Sequence, residues 1–397
     1  MRCMCILVLV CLAAPATIVS AQSLQDRFDQ LNREYESSMA AWHEEYDDAK
    51  GNVESIARYR DWPGWMFAPR FVAFGESAGS SSEGFESLCE LLNMGNSVGE
   101  FDRELFRHYE RAIERLLANH WGEKLRPLCH QVRVSHGSEA FLRTLMNESE
   151  SEETRAEACY CLGRLLAKKR DMCFRNASTV RPTFDAFAKY TYERSKENLD
   201  EFVRNADVDH LYVEAERCFH RVEADYPNVV TVQGGEFLGG LAKRELFELK
   251  YLSIGGIAPQ IEGRDLSGNS MALSDFRGKV VLLVFWASWC GPCMGDVPHE
   301  KELHSRFAGR PFAIVGINAD ETLELANKAV DENAIPWRSF RNGQGDAKGA
   351  ITEEWNVRRW PTVYVIDHLG VIRHKHLRRK ELDAPLERLV HAAETDN

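Results

Sequence analysis

From Leu24 the apolar side chains Phe28, Leu31, Tyr35, Met39, Trp42 and Tyr46 recur at steps of three and four, the stripe of one long helix. Such a stripe must be covered, by docking on its own domain or by a second copy in a coiled coil; docking is the expectation. Residues 61–98 mix Trp62-Pro63-Gly64 with a Gly/Ser run at 79–84, which predicts a loop followed by a short helix around Glu86–Leu92. Helical periodicity returns at Phe101–His120, through Leu105, Tyr109, Ile113, Leu116 and Leu117, and again at Glu153–Ala167. A further helix over Leu238–Leu252 runs into Ser253-Ile254-Gly255-Gly256-Ile257-Ala258-Pro259, where the texture changes.

Beyond that point short β-type runs alternate with helices. Gly263–Asn269 reads as a hairpin turn and Lys279–Trp286 as a fully buried strand. A helix over Pro292–Phe307 follows, which Pro298 should kink. Then come strand Phe312–Asn318, helix Thr322–Asn333, a short strand near Arg338 and a short helix near Ile351–Trp355. Strands Thr362–Ile366 and Val371–His376 and helix Glu381–Ala393 complete an α/β three-layer pattern. Three segments are therefore expected: a leader over 1–21, an all-α domain over 22–252 and an α/β domain over 253–397. Within the α domain, Ala156, Ala158, Tyr160, Leu162, Gly163 and Leu166, and later Ala215, Cys218, Phe219, Val222, Tyr226 and Pro227, resemble tetratricopeptide helices. Their separation of roughly sixty residues exceeds one repeat of about 34, so an irregular, weakly tetratricopeptide-like helical domain is expected.

Composition narrows the classes. A formal charge of -12 leaves no basic surplus for phosphates, against a dedicated nucleic-acid binder. The basic run Arg373–Lys380 is read as a solvated face. Arg2, the apolar Ile6–Ala14 and the small-residue site Val19-Ser20-Ala21 make a signal peptide, which implies export to the periplasm or cell envelope. Membrane association would need that segment left uncleaved, and its apolar stretch is shorter than the roughly 20 residues of a span. Cleavage removes Cys3, Cys5 and Cys11. In an oxidising compartment Cys89, Cys129, Cys159, Cys161, Cys173 and Cys218 are expected to supply one or two structural disulfides besides buried thiols. Cys159 and Cys161 diverge on a helix and hold no metal between them, so neither a metal nor any other cofactor is called for.

The chemistry lies in Trp289-Cys290-Gly291-Pro292-Cys293, between a buried strand and a helix. A helix N-terminus offers unpaired N–H groups and the positive end of the macrodipole, both of which stabilise a thiolate at Cys290. Cys293, a turn further on, can resolve a mixed disulfide. A structural zinc site is excluded for want of a second ligand pair.

Over Ile254–Ala393 the sequence resembles the thioredoxin superfamily, in its exported TlpA/ResA-like branch. The motifs are Ala258-Pro259, Leu273–Lys279, Phe285–Trp289, Val297-Pro298, Trp360-Pro361-Thr362 and Ile366–Gly370. The helical region resembles an extension that precedes such domains in planctomycete-type bacterial proteins. The resemblance implies a thioredoxin-like fold, a redox-active Cys290–Cys293 disulfide and a cis peptide bond before Pro361. It also implies a substrate groove formed by Trp289, Gly291, Pro292 and Trp360. Thioredoxin proper carries a buried Asp six residues before the first cysteine; here Val284 stands there. Asp296 falls where the branch carries an acid, usually Glu, that assists proton transfer. Gly291-Pro292 resembles the dipeptide of reducing thioredoxins. Disulfide-bearing proteins and an upstream thiol electron donor are the partners this implies. Two alternatives remain: a thiol peroxidase, disfavoured because Ala287 stands where those enzymes carry Thr or Ser, and a helical partner-binding protein with an accessory redox domain. Arg358, Arg359, His368, His374 and His376 are expected to be mostly exposed near the groove.

Overall fold

A computed structural model describes residues 22–48, 62–94, 103–120, 122–132, 134, 136–177, 200–342 and 350–396. The leader reading and Cys3, Cys5 and Cys11 lie outside them. The helices of the first part include α1 (Leu24–Asp48), α2 (Pro63–Ala78), α3 (Ser82–Met94), α4 (Arg103–Asn119), α5 (His136–Glu148), α6 (Glu152–Ala177), α7 (Val208–Asp225) and α8 (Leu238–Tyr251). The expected loop ahead of Glu86 is instead α2. Pro63 sits in its first turn, where a missing N–H costs nothing, and Phe67, Phe71, Val72 and Phe74 are buried. Helix α1 docks on that row: Tyr35 meets Phe67 and Phe71 at ring-centroid distances of 5.4 and 5.6 Å.

Helices α6 and α7 cross closely because Gly163 has no side chain. A Cβ there would lie 2.7 Å from the Phe219 ring. The structural disulfides expected of Cys89, Cys129, Cys159, Cys161, Cys173 and Cys218 are not formed: all six are thiols. Two of them bond to carbonyls inside the helical packing, Cys159 Sγ to Cys218 O at 3.4 Å and Cys173 Sγ to Lys169 O at 3.3 Å. Burial also pushes the Cys89, Cys129 and Cys161 thiols well up, Cys89 to about 12, so they stay protonated.

The second half is built on a five-stranded sheet of order β5-β4-β3-β6-β7, from β3 (Val280–Trp286), β4 (Phe312–Asn318), β5 (Ser339–Arg341), β6 (Thr362–Ile366) and β7 (Ile372–Lys375). β3 pairs in parallel with β4 and antiparallel with β6. All seven residues of β3 are buried, as a central strand covered on both faces requires. The hairpin of β1 (Glu262–Arg264) and β2 (Ser270–Ala272) forms a second sheet against β5, with Leu266 N donating to Ser339 O at 3.0 Å and its turn held by Asp265 accepting from Ser267 N and Asn269 N. One face of the sheet packs on α9 (Gly291–Met294), α10 (Val297–Arg306), α11 (Leu323–Asn333) and α13 (Asp383–Thr395). The other packs on Leu252, Met271 and Trp355, the last beside α12 (Ala350–Glu354).

Charge joins the halves. Lys375 on β7 is 2% exposed, and its Nζ lies 2.8 Å from Glu248 Oε1 on α8 and 3.7 Å from an Asp171 oxygen on α6. Asn356 Nδ2 donates to the other Glu248 oxygen at 2.7 Å, and Arg358 pairs with Glu245 at 2.9 Å. Burial pushes Glu248 upward, but the Lys375 ammonium, the Asn356 amide and the Arg358 charge together hold the carboxyl below its ordinary value. The basic run 373–380 is thus only partly a solvated face. Residues 255–258 then lie along β7, with Gly255 N donating to Ile372 O and Ala258 N to Gly370 O.

Candidate active site

Strand β3 ends at Trp286 and the chain turns through Ala287 and Ser288. Asp320, just past β4, fixes that turn: it accepts from Ser288 N at 3.1 Å and Ser288 Oγ at 2.6 Å, and is itself held by Asn318 Nδ2 at 2.7 Å. Cys290 is then the N-cap of α9. Its Sγ receives the Cys293 N–H at 3.1 Å, satisfying one of the helix's open donors with sulfur. Cys290 and Cys293 are joined as a disulfide, with Cα atoms 5.2 Å apart and side chains 4% and 3% exposed.

Pro361 lies at the head of β6, and the Trp360-Pro361 bond is cis. The Trp289 and Trp360 rings meet edge to face at 5.4 Å, and Trp289 is 59% exposed. Gly291 and Pro292 are exposed beside it. Two aromatic walls and an exposed turn thus stand next to a buried sulfur pair. All the expected groove residues are brought to this one corner, at the C-terminal end of β3 and the N-terminal end of antiparallel β6.

Asp296 sits in the break between α9 and α10, two residues before Pro298. The break falls there because a proline ring cannot pack against the carbonyl four residues back, that of Met294. Asp296 is 4% exposed and its carboxylate binds two guanidinium groups, Arg378 Nε on one oxygen and Arg379 Nε on the other at 2.7 Å. Arg378 also donates to the Pro292 carbonyl at 3.0 Å, so the segment after β7 clasps the cysteine turn. Among the described residues no hydrogen bond joins Asp296 to either sulfur. One turn further on, Glu300 is buried at 6% exposure; burial, then the nearby Asp296 charge, push its carboxyl up to about 8.

Arg378, Arg379, Glu300 and Asp320 were not singled out from the sequence. The signal for Glu300 was its place one turn beyond Asp296 on the same helix face; the arginines come from a segment some eighty residues away and carried none. Of the five basic residues placed near the groove, only Arg358, paired with Glu245, and Arg359 are exposed; His374 is buried at 7% and His368 and His376 are part-buried, so the expectation that most are exposed does not hold.

A doubly covered mixed sheet with a disulfide-forming cysteine pair at a helix start is the arrangement of a thiol-disulfide oxidoreductase domain. The Redoxin family model matches residues 254–388. The chain is 35% identical over 133 residues to the thioredoxin-like protein YneN of Bacillus subtilis, covering 33% of this chain and 76% of that one. To the thiol-disulfide oxidoreductase ResA of Bacillus cereus it is 31% identical over 136 residues, covering 34% and 73%. Among solved structures, the thioredoxin domain of a thiol-disulfide oxidoreductase from Bacteroides vulgatus is similar, with 33% identity over 35% of this chain and 98% of that one, at a TM-score of 0.33. The chain belongs to the TlpA/ResA-like branch of the thioredoxin superfamily. The matched residues lie in the C-terminal third, and no helix among the described residues is long and apolar enough to cross a membrane.

Proposed function

We propose that this chain is an exported oxidoreductase that reduces disulfides in proteins, with Cys290 as nucleophile and Cys293 as resolving thiol. The observation that carries this reading is Cys290 at the N-cap of α9 with its sulfur receiving the Cys293 N–H. An N–H donor and the dipole of the helix start favour the thiolate over the thiol. In the reduced enzyme the Cys290 thiolate attacks a client disulfide: a Cys290–client S–S bond forms, and the other client sulfur leaves with the electron pair. Cys293 then attacks Cys290 Sγ, the internal disulfide forms, and the second client sulfur departs. An upstream thiol donor restores the dithiol.

Trp289 and Trp360 supply apolar walls for an extended client chain, Gly291 and Pro292 an unobstructed approach, and Pro361 the head of a strand against which that chain can lie. Asp296 assists proton transfer at the thiols. The reducing direction draws on Gly291-Pro292, and export on the signal-peptide pattern of residues 1–21. The division at 252/253 draws on the change in sequence texture, and the planctomycete-type character of the helical part on a resemblance alone. The peroxidase alternative gains nothing, since Ala287 brings no hydroxyl to the sulfurs. Partner capture by the helical domain draws on one feature: a cleft of about 720 Å³ lined by His130, Tyr160, Arg164, Arg244, Asn356 and Arg358, between α6, α8 and the segment before Trp360.

The test is a Cys293→Ser variant expressed with its leader in an exporting cell. It should accumulate client proteins as mixed disulfides released by dithiothreitol, and a further Cys290→Ser change should empty the trap. A trap that stays empty with Cys290 intact would remove protein disulfides as the substrate.

A further inference from the structure

Opening the Cys290–Cys293 bond leaves a negative sulfur at Cys293, which is 3% exposed. A buried anion without a partner is costly, so a proton must be supplied locally. The apolar Val284, 3% exposed on β3, cannot supply it.

Cys293, Asp296 and Glu300 are spaced by three and four, which puts them on one stripe of the helical turn. The turn persists through the break: Asp296 N donates to Cys293 O at 3.0 Å and Glu300 N to Asp296 O at 3.1 Å. All three are buried, at 3%, 4% and 6% exposure. A sulfur, a carboxylate clasped by two arginines and a second carboxyl thus form one buried row.

From this row we infer that Glu300 stores the proton that Cys293 takes up when the disulfide opens and gives back when it reforms, Asp296 relaying it. This rests on the exchange chemistry assigned above to Cys290 and Cys293. When a donor thiolate attacks Cys290 Sγ, a donor–Cys290 bond forms and the electron pair of the broken S–S bond leaves on Cys293 Sγ. A proton passes from Glu300 to Asp296 and from Asp296 to that sulfur, leaving a Cys293 thiol and a Glu300 carboxylate beside Arg378. When Cys293 later attacks a client–Cys290 bond, its proton retraces the path and the client sulfur departs with the electron pair.

The surroundings suit a store. Burial and then Asp296 raise Glu300 to about 8, against the opposing pull of Arg378, so it holds its proton at neutral pH in the oxidised enzyme. Of the other titratable groups on α10, His304 lies one turn beyond Glu300 with its ring 6.4 Å from that of Trp337, and Lys301 donates to Asn333 O at 3.1 Å. Arg379 is on Asp296, Glu381 accepts from Arg378 N, and Asp383 is on His299 and Arg306; β4 carries no titratable side chain.

The reduction potential of the full chain, measured against glutathione from pH 6 to 10, tests this. Below about pH 8 the stored proton supplies Cys293; above it the proton must come from solvent, so the pH dependence should steepen there. Glu300→Gln should abolish that break while leaving a measurable potential. Infrared difference spectra of the unaltered protein should show a buried carboxylic acid band that vanishes on reduction. Should the Glu300→Gln variant fail to fold, Glu300→Leu gives the same readout among Val297 and Leu303, and the infrared test needs no variant. A break that survives both substitutions, or a carboxylic band unchanged by reduction, overturns the store. Absence of any measurable potential would instead overturn the assignment of the cysteine pair, and this inference with it.

Discussion

Replacing Lys375 by Met should cost the protein about 3 kcal/mol, because it removes the ammonium that pairs with Glu248. Lys375 Nζ is 2.8 Å from Glu248 and 3.7 Å from Asp171, with the lysine 2% exposed. Breaking a buried pair by removing one partner typically costs about 3–5 kcal/mol. The low end applies, since the Glu248 side chain is 30% exposed and keeps its bond from Asn356, while Met fills most of the lysine stem's volume. The assay is urea unfolding of both proteins, followed by near-ultraviolet circular dichroism at several pH values. Glu248 is held below its ordinary 4.5, so its contribution is present above that pH and fades as acid titrates it. Lys375 is held above its ordinary 10.5, so its contribution persists below that pH and fades only in stronger alkali. The gap between the two proteins should be widest between the ordinary values of the two groups, 4.5 and 10.5, and should shrink as the pH falls below that window. A loss below about 1 kcal/mol at neutral pH, the size of an exposed pair, or one that does not change with acid, would refute a buried link between the halves.

Two further outcomes follow from packing and from the cysteine turn. Gly163→Ala should destabilise the helical part by about 1–3 kcal/mol, since its Cβ would meet the Phe219 ring at 2.7 Å; thermal unfolding reads this, and an unchanged midpoint would mean that the helices part freely. Asp320→Ala removes the acceptor for Ser288 N and Oγ; turnover of a model disulfide should fall several-fold with little loss of secondary structure, and undiminished turnover would show that the turn needs no such brace.

The α/β half was legible because each of its elements announces itself locally. β3 is an unbroken apolar run, Thr322 caps α11 by accepting from Leu325 N, and the cysteine pair follows a strand and opens a helix. The helical half was less so. The Trp62-Pro63-Gly64 run reads as a turn, yet the same proline starts α2, and only the aromatic row behind it decides between the two. The thiols of that half were expected to pair because the compartment is oxidising, but pairing needs matched side-chain directions across helices, which periodicity does not contain. Asp296 was found through its spacing from Cys293. Its partners Arg378 and Arg379 were not, because long-range ion pairs carry no local pattern and their run of basic residues looks like any solvated face.

Most direct of all is a titration of the reduced protein followed by thiolate absorbance in the far ultraviolet, with Cys290→Ser and Cys293→Ser as controls. A thiol at the N-cap of α9, with a backbone N–H on its sulfur, should ionise clearly below the roughly 8.5 of a free cysteine. That transition should survive in Cys293→Ser and disappear in Cys290→Ser. A Cys290 that ionises at or above the free-cysteine value would contradict its assignment as the nucleophile.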